Sequence, residues 1–322
     1  MAIFLDEKCV AGLVTMQDAL DAVEEVFREQ GKGNVLNVPR VRAPMKGGIL
    51  RITAGILSYR GFYGIKISST AVFAGNAGRM FCLYREETGE LCAIVQVFAL
   101  GALRTGAASG IATKYLANEG AATLGVLGSG RQARTQVEAV SRVRPIREVK
   151  VFSPTPEHRE RFCRDLDESL EIKTLAVASP EQAVRGSDVI VTATTATTPV
   201  LHGKWLAPGA HINAMGANYE FRRELDRDAV LAASFIATDD REQVQYESAD
   251  LAEPVKEGLL KWENVFNLAD VVSGRVRGRS SPDDITLFKS LGVAIEDVAL
   301  AVRAYEKAVE RKAGQALPDL TG

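Results

Sequence analysis

Gly128, Gly130 and Ala133 stand in the order G-x-G-x-x-A within Thr123-Leu124-Gly125-Val126-Leu127-Gly128-Ser129-Gly130-Arg131-Gln132-Ala133-Arg134-Thr135. The stretch reads as a short apolar strand, a glycine turn and the start of a helix. Gly128 permits the tight turn, Gly130 lets backbone approach a pyrophosphate, and small Ala133 lets the helix pack close to the strand. The helix that follows presents unpaired N–H groups and the positive end of its dipole to phosphate oxygens. The chemistry of this loop, with Ser129, Arg131 and Gln132 in it, is dinucleotide binding.

The strands that must position such a loop follow in rhythm. A second apolar run, 148–152, comes at about the ~20-residue spacing of a βαβ unit. Runs at 188–193 and 211–216 continue the series, with a helix over 156–170 between the second and third. Thr192 and Thr194 at the end of the third run, and Met215 and Gly216 at the end of the fourth, are read as lining the cofactor groove; 193–198 also reads as a plain loop. An acidic residue closing the second strand would grip the ribose hydroxyls of NAD, and an arginine would accept the 2′-phosphate of NADP. Phe152-Ser153-Pro154-Thr155-Pro156-Glu157-His158-Arg159 has neither in place. Ser153 and Thr155 suit either, and Arg159 is within reach of a phosphate, so the cofactor reads as NAD(H) or NADP(H).

A chain of 322 residues holds one large or two ordinary domains, each with room for a core. A net charge of −2 gives no electrostatic case for nucleic acid or an anionic membrane. No apolar run approaches the ~20 residues of a membrane span, and Met1-Ala2-Ile3-Phe4-Leu5-Asp6 lacks the basic flank and long core of a signal peptide. Cys9, Cys82, Cys92 and Cys163 show no metal or redox spacing and read as buried thiols, Cys82 and Cys92 close across a hairpin without a bridge. The chain therefore reads as cytoplasmic. His158, His202 and His211 form no metal or catalytic constellation.

Ahead of the glycine loop, Thr15 and Asp18 open a helix within 11–31, and the proline-rich 38–44 disfavours helix. Strands are expected at 48–54, 62–68, 79–84 and 91–98, then a helix over 99–116 rich in small residues, which implies close packing on a backbone or a ligand. Beyond the series, 265–268 and 285–290 read as strands and 295–311 as a terminal helix packed back on the first domain. The fold class is α/β: a Rossmann domain, 118–294, inserted in an α+β domain built from 1–117 plus 295–322.

Leu103-Arg104-Thr105-Gly106-Ala107, then Gly128 to Ala133, then Arg223-Glu224-Leu225-Asp226 resemble the ornithine cyclodeaminase/mu-crystallin family. Gly64-Ile65-Lys66 and Ile285-Thr286-Leu287-Phe288-Lys289-Ser290 extend the resemblance over nearly the whole chain, in the family's order. It implies a nicotinamide cofactor, a small amino or imino acid and a homodimer formed by the non-Rossmann domain. Ornithine cyclodeaminases, alanine dehydrogenases and reductases of cyclic or linear imino acids all belong to that family.

The resemblance assigns roles residue by residue. Arg104 matches the carboxylate-binding arginine, whose planar fork pairs bidentately with a carboxylate; the alternative is a helix-surface salt bridge. Lys66 matches a lysine beside the substrate, holding the carboxylate or giving a proton to nitrogen. Arg40 matches a third cation, with Arg42 its rival. Apart from the resemblance, Thr70 and Thr105 are candidates to border the nicotinamide, with Thr70 counted with Arg51 as substrate-binding. Two positions depart from the family. Asn218 stands where cyclodeaminating and alanine-oxidising members carry an aspartate, and an amide cannot serve as general base; its alternative is to cap a turn. Arg51 replaces an acidic residue that binds a distal amine, so it repels ornithine and recognises a second carboxylate or neutral group, or points to solvent.

The expected activity is NAD(P)H-dependent reduction of a small imino acid such as pyrroline- or piperideine-2-carboxylate, or of an imine of a 2-keto acid. Amino-acid dehydrogenation or cyclodeamination at the same site is one alternative, and a non-catalytic nucleotide- or ligand-binding protein is another.

Overall fold

The computed structural model describes residues 2–69 and 79–318; Thr70 lies outside the described residues. Two compact units emerge, Met1–Arg104 with Gly292–Gly322, and Thr105–Leu291. The first junction falls inside a continuous helix, Phe98–Leu116, so it cannot be seen as a break in sequence pattern.

The first unit holds a seven-stranded sheet. Its strands are β1 (Ile3–Leu5), β2 (Val35–Met45), β3 (Gly48–Leu57), β4 (Phe62–Ser69), β5 (Met80–Arg85) and β6 (Leu91–Gln96), with a two-residue strand at Gln315–Ala316. β2 to β6 form an antiparallel meander, and β1 lies parallel to β6. Pro39 and Pro44 rule out a helix but not a strand, because β2 is the edge strand and a bulge between Val38 and Val41 absorbs the register shift.

Register sorts the side chains of this sheet. Thr53, Lys66 and Phe81 stand opposite one another on one face, and so do Arg42, Arg51 and Ser68. Val41, Ile52, Ile67 and Met80 form a row on the other face. Helix α1 (Glu7–Leu13) and helix α2 (Met16–Gly31) precede β2; α2 opens on a capping box of Thr15 and Asp18 and buries Ala19, Leu20, Val23, Val26 and Phe27. The terminal helix (Ala294–Arg311) begins directly over β3, where a Cβ on Gly55 would lie 3.0 Å from the Ile295 nitrogen. Lys307 Nζ donates to Asp18 at 2.7 Å, tying that helix to α2.

The second unit is an eight-stranded, wholly parallel sheet. It runs through β7 (Thr123–Leu127), β8 (Glu148–Phe152), β9 (Lys173–Ala176), β10 (Val189–Thr192), β11 (His211–Ala214), β12 (Phe235–Thr238), β13 (Val265–Asn267) and β14 (Thr286–Lys289). The order β13-β12-β14-β11-β10-β7-β8-β9 contains the doubly wound 3-2-1-4-5-6 pattern, counted from β7, with β12 and β13 added at one edge. Its central strands are buried on both faces. Val189 and Val191 pack with Val137 and Val140, while Ile190 packs on the opposite side with Ile212 and Leu287. Each such buried side chain contributes about 1.5–3 kcal/mol. The fold class is that read from the sequence. The short strands β9 and β12 were not among the expected ones; β9 is the third strand of that pattern and β12 lies in the added edge.

The helix Phe98–Leu116, α3, continues into the second unit with small residues where backbones meet. A Cβ on Gly106 would lie 2.5 Å from the Thr135 carbonyl oxygen in the next helix, α4 (Arg131–Val143). All four cysteines are free, and Cys9 and Cys82 are partly exposed rather than buried.

Candidate active site

Lys66 comes from the middle of β4, on the sheet face that the terminal helix covers. That helix brings Glu296 and Asp297, both fully buried, in its first turn, where the helix dipole favours carboxylates. Lys66 Nζ donates to Asp297 Oδ2. Arg104, 8% exposed on α3, donates from Nε to Asp297 Oδ1 at 3.0 Å and from Nη1 to Glu296 Oε2 at 2.8 Å. One carboxylate thus holds both the lysine and the arginine, and a second fixes the arginine's fork.

Arg40 sits in the β2 bulge and donates from Nη2 to the Gly292 carbonyl oxygen. Gly292 adopts φ +73°, and a Cβ there would lie 2.4 Å from Arg104 Nη1. A side chain at that position would push the guanidinium out of place, so Gly292 serves both arginines.

The electrostatics follow from burial and sign. Burial pushes the Lys66 ammonium down to about 8, with Asp297 opposing the shift and Arg104 and Arg40 adding to it. Burial works against the Asp297 carboxylate, but Arg104 and Lys66 outweigh it and hold that carboxyl below its ordinary range. The structure therefore brings Lys66, Arg104 and Arg40 together. Arg42 stands instead opposite Arg51 on the β2–β3 ladder. Arg51 shares the Lys66 face, displaced along the sheet beside Ser68.

Asp297, Glu296 and Gly292 were not apparent from the sequence as site residues. The available signal was two adjacent acids inside the apolar run Val293-Ala294-Ile295-Glu296-Asp297-Val298-Ala299-Leu300. Buried charge in such a run requires partners.

In the second unit the glycine loop follows β7 at the point where strand order reverses, between β7 and β10. Gly128 has φ +118°, and a Cβ there would lie 2.4 Å from the Ala193 carbonyl oxygen, whereas Gly130 has nothing within 4 Å of its Cβ position. Gln132 Oε1 is buried with no hydrogen-bond partner among the described residues. Ala133 is fully buried beneath the loop. An open glycine backbone and an orphaned acceptor fit a dinucleotide. Ser129 Oγ donates to Ser153 Oγ at 2.9 Å, which ties the loop to the end of β8.

Other residues expected at the cofactor have protein partners. Arg159 Nη1 donates to the Ser153 carbonyl oxygen at 2.9 Å, and its guanidinium lies over the Phe152 ring. Thr155 is the exposed N-cap of the helix Pro156–Leu170, α5. Thr192 Oγ1, Thr194 Oγ1 and the Gly216 amide all donate to the buried Glu224 carboxylate, at 2.7–2.8 Å. Thr192 is fully buried, so its hydroxyl orders the ends of β10 and β11 instead of facing a groove. The Thr105 carbonyl oxygen accepts from Gln136 Nε2 at 3.1 Å. Met215 is partly exposed just past β11. Asn218 Nδ2 donates to the Leu291 carbonyl oxygen at 3.4 Å. His211 is buried between Thr286 and Asn213, and burial pushes it down to about 3, so it stays a neutral structural group.

A doubly wound parallel sheet with this loop at its switch point is a dinucleotide-binding fold. The ornithine cyclodeaminase/mu-crystallin family model matches residues 2–312, and the chain belongs to that family. It is 39% identical to the Delta(1)-pyrroline-2-carboxylate reductase of Bacillus cereus over 71% of this chain and 70% of that one. The Thermococcus litoralis Delta(1)-pyrroline-2-carboxylate reductase, solved with NADH and L-proline, has a TM-score of 0.93 at 33% identity, covering 98% of this chain and 100% of that one. An archaeal alanine dehydrogenase dimer with bound NAD has a TM-score of 0.92 at 33% identity, covering 98% and 99%. Among the described residues no helix is long and apolar enough to cross a membrane, and no group of three or more His, Cys, Asp or Glu could hold a metal ion.

Proposed function

We propose that this chain reduces a small imino acid to the corresponding amino acid with a nicotinamide cofactor held at the glycine loop. The observation that carries this reading is the buried Lys66–Asp297–Arg104 chain. Three cations, Arg40, Lys66 and Arg104, are gathered here with two carboxylates, Glu296 and Asp297, and a substrate carboxylate suits a cluster so rich in cations. Arg104 and Arg40 bind and orient that carboxylate. Lys66, brought close to neutral pH by burial, gives a proton to the substrate nitrogen. When bound, the reduced nicotinamide supplies the hydride.

Similarity to both reductases and an alanine dehydrogenase leaves two directions for the same site, and Asn218 favours reduction. Oxidative deamination needs a base acting on water or amine, and an amide has no proton-accepting role of that kind. The deciding assay follows NADH and NADPH oxidation with pyrroline-2-carboxylate, piperideine-2-carboxylate, and 2-keto acids with amines. L-Ornithine and L-alanine with the oxidised cofactors form the opposing arm. Imine turnover with little ammonia release is the expected result; robust ammonia release from ornithine or alanine would overturn it.

The working form is a homodimer joined through the uncovered sheet face of the first unit. Val41, Ile67 and Met80 there are 54%, 50% and 50% exposed, and Leu36 is 56% exposed. An apolar face of that kind marks an association surface, and the dimeric archaeal alanine dehydrogenase supports a second copy as its occupant.

A further inference from the structure

Two stretches with family character, Arg223-Glu224-Leu225-Asp226 and Ile285-Thr286-Leu287-Phe288-Lys289-Ser290, supply opposite charges to one buried network in the second unit. Glu224 and Lys289 are both fully buried. Lys289 closes β14, beside Ala214 of β11 and Thr238 of β12. Its ammonium pairs with Asp250 Oδ2 at 2.8 Å and donates to the Ala217 carbonyl oxygen at 2.5 Å. Asp250 Oδ1 in turn accepts from the Glu224 and Leu225 amides, at 2.8 and 3.1 Å.

An ammonium buried this deeply needs partners, and an apolar side chain of similar length would serve packing as well. What the ammonium adds is direction. The loop that follows β11 is held at three successive residues. The Gly216 amide donates to Glu224, the Ala217 carbonyl accepts from Lys289, and Asn218 Nδ2 donates to the Leu291 carbonyl oxygen. Leu291 stands two residues past Lys289, so one short segment holds both the backbone that enters Asn218 and the Asn218 side chain. The peptide is planar and trans, so turning the Ala217 carbonyl onto Lys289 turns the Asn218 N–H to the opposite side.

We propose that Lys289 is a positioning residue for the reduction, setting the orientation of Asn218 through the Ala217 carbonyl. Glu224 supports it by holding the Gly216 amide. The inference rests on the reading of this chain as an imine reductase in which Asn218 takes part. Fully buried, Lys289 acts through Asn218 and not on substrate.

The test is a double-mutant cycle of Lys289→Met and Asn218→Ala. Steady-state rates are measured on the fastest imine among pyrroline-2-carboxylate, piperideine-2-carboxylate and 2-keto acids with amines. NADH and NADPH affinities are measured by fluorescence titration. Lys289→Met combined with Asp250→Asn also removes the stranded charge while keeping the Oδ1 acceptor, and it replaces the single variant if that fails to fold. Lys289→Met and Asn218→Ala should each lower kcat about tenfold or more, within the ~100-fold that a 1 Å misplacement costs. Cofactor affinity should stay within about twofold of the parent's, and in the Asn218→Ala background the loss of Lys289 should cost less than about a further twofold in kcat. Losses that multiply, or a cofactor affinity that falls in Lys289→Met, would make Lys289 a structural residue of the sheet and overturn the proposal, with the reductase reading standing. An Asn218→Ala variant as active as the parent would do the same. A parent protein that reduces none of these imines would overturn both.

Discussion

Lys66 and Asp297 form a buried ion pair between residues 231 apart in sequence, one in a strand and one in the terminal helix. Burial lowers the Lys66 ammonium, and Asp297 opposes that shift. Lys66 lies at about 8 instead of 10.5, so its ammonium form dominates below pH 8 and is lost above it. Reduction that draws a proton from Lys66 should therefore hold up below about pH 8 and decline as pH rises. Asp297→Asn removes the charge that favours the ammonium, which should move this decline to lower pH and reduce kcat at neutral pH about tenfold or more. A lower rate with an unmoved pH profile would reduce Asp297 to a structural role.

Arg104 neutralises two buried carboxylates and also offers its fork to the substrate. Arg104→Ala should cost about 3–5 kcal/mol of stability in urea denaturation, because it takes a buried cationic partner from both acids. Arg104→Lys keeps the charge but loses the planar fork, so KM for the imino acid should rise more than kcat falls. An unchanged KM would remove Arg104 from substrate binding.

The two loop glycines should fail in different ways. Gly128→Ala meets the Ala193 carbonyl at a φ of +118° and should destabilise the protein by about 3 kcal/mol. Gly130→Ala meets nothing within 4 Å. It should change stability by less than ~0.5 kcal/mol yet weaken cofactor binding about tenfold, by keeping phosphate off the backbone. Urea melts and nucleotide titrations of the two variants separate these effects.

Asn218→Asp supplies the missing carboxylate. The ratio of ammonia release from alanine to imine reduction should rise by about a hundredfold, the lower end of general-base contributions. No change in that ratio would show that Asn218 does not decide the direction.

Ile67→Lys places a charge in the middle of the exposed apolar row. Sedimentation should then report a single-chain mass where the parent protein reports a dimer, with the far-UV spectrum unchanged. A persistent dimer would move the interface elsewhere.

Much of the fold could be read because local pattern and tertiary role agree. β8 and α5 fall on the expected residues, and Thr15 and Asp18 form the expected capping box. β2 was hidden by its prolines, which only an edge position tolerates. β9 is largely exposed and lacks the apolar run that marked the other short strands of this sheet. In the site, Lys66, Arg104 and the glycine loop were legible through motif context. Asp297 and Glu296 were not, since acids in a first helical turn are ordinary capping chemistry until burial and partners are known. Thr192 illustrates the converse: a threonine at a strand end suits a ligand, and only the buried Glu224 shows where its hydroxyl goes.

The terminal helix also fixes when the cationic site comes into being. Arg104 reaches its carboxylate partner across 193 residues of sequence, and the parallel sheet closes on its own strands between Thr123 and Lys289. On the ribosome, at ~5–20 residues per second, Arg104 is made about ten to forty seconds before Asp297. Throughout that interval Lys66 and Arg104 lack their counter-charges, and the nucleotide-binding sheet is completed only shortly before its end, when the interior strand β14 (Thr286–Lys289) is made. The cationic cluster is thus the last part of the chain to gain its partners, and it does so only when the terminal helix is made.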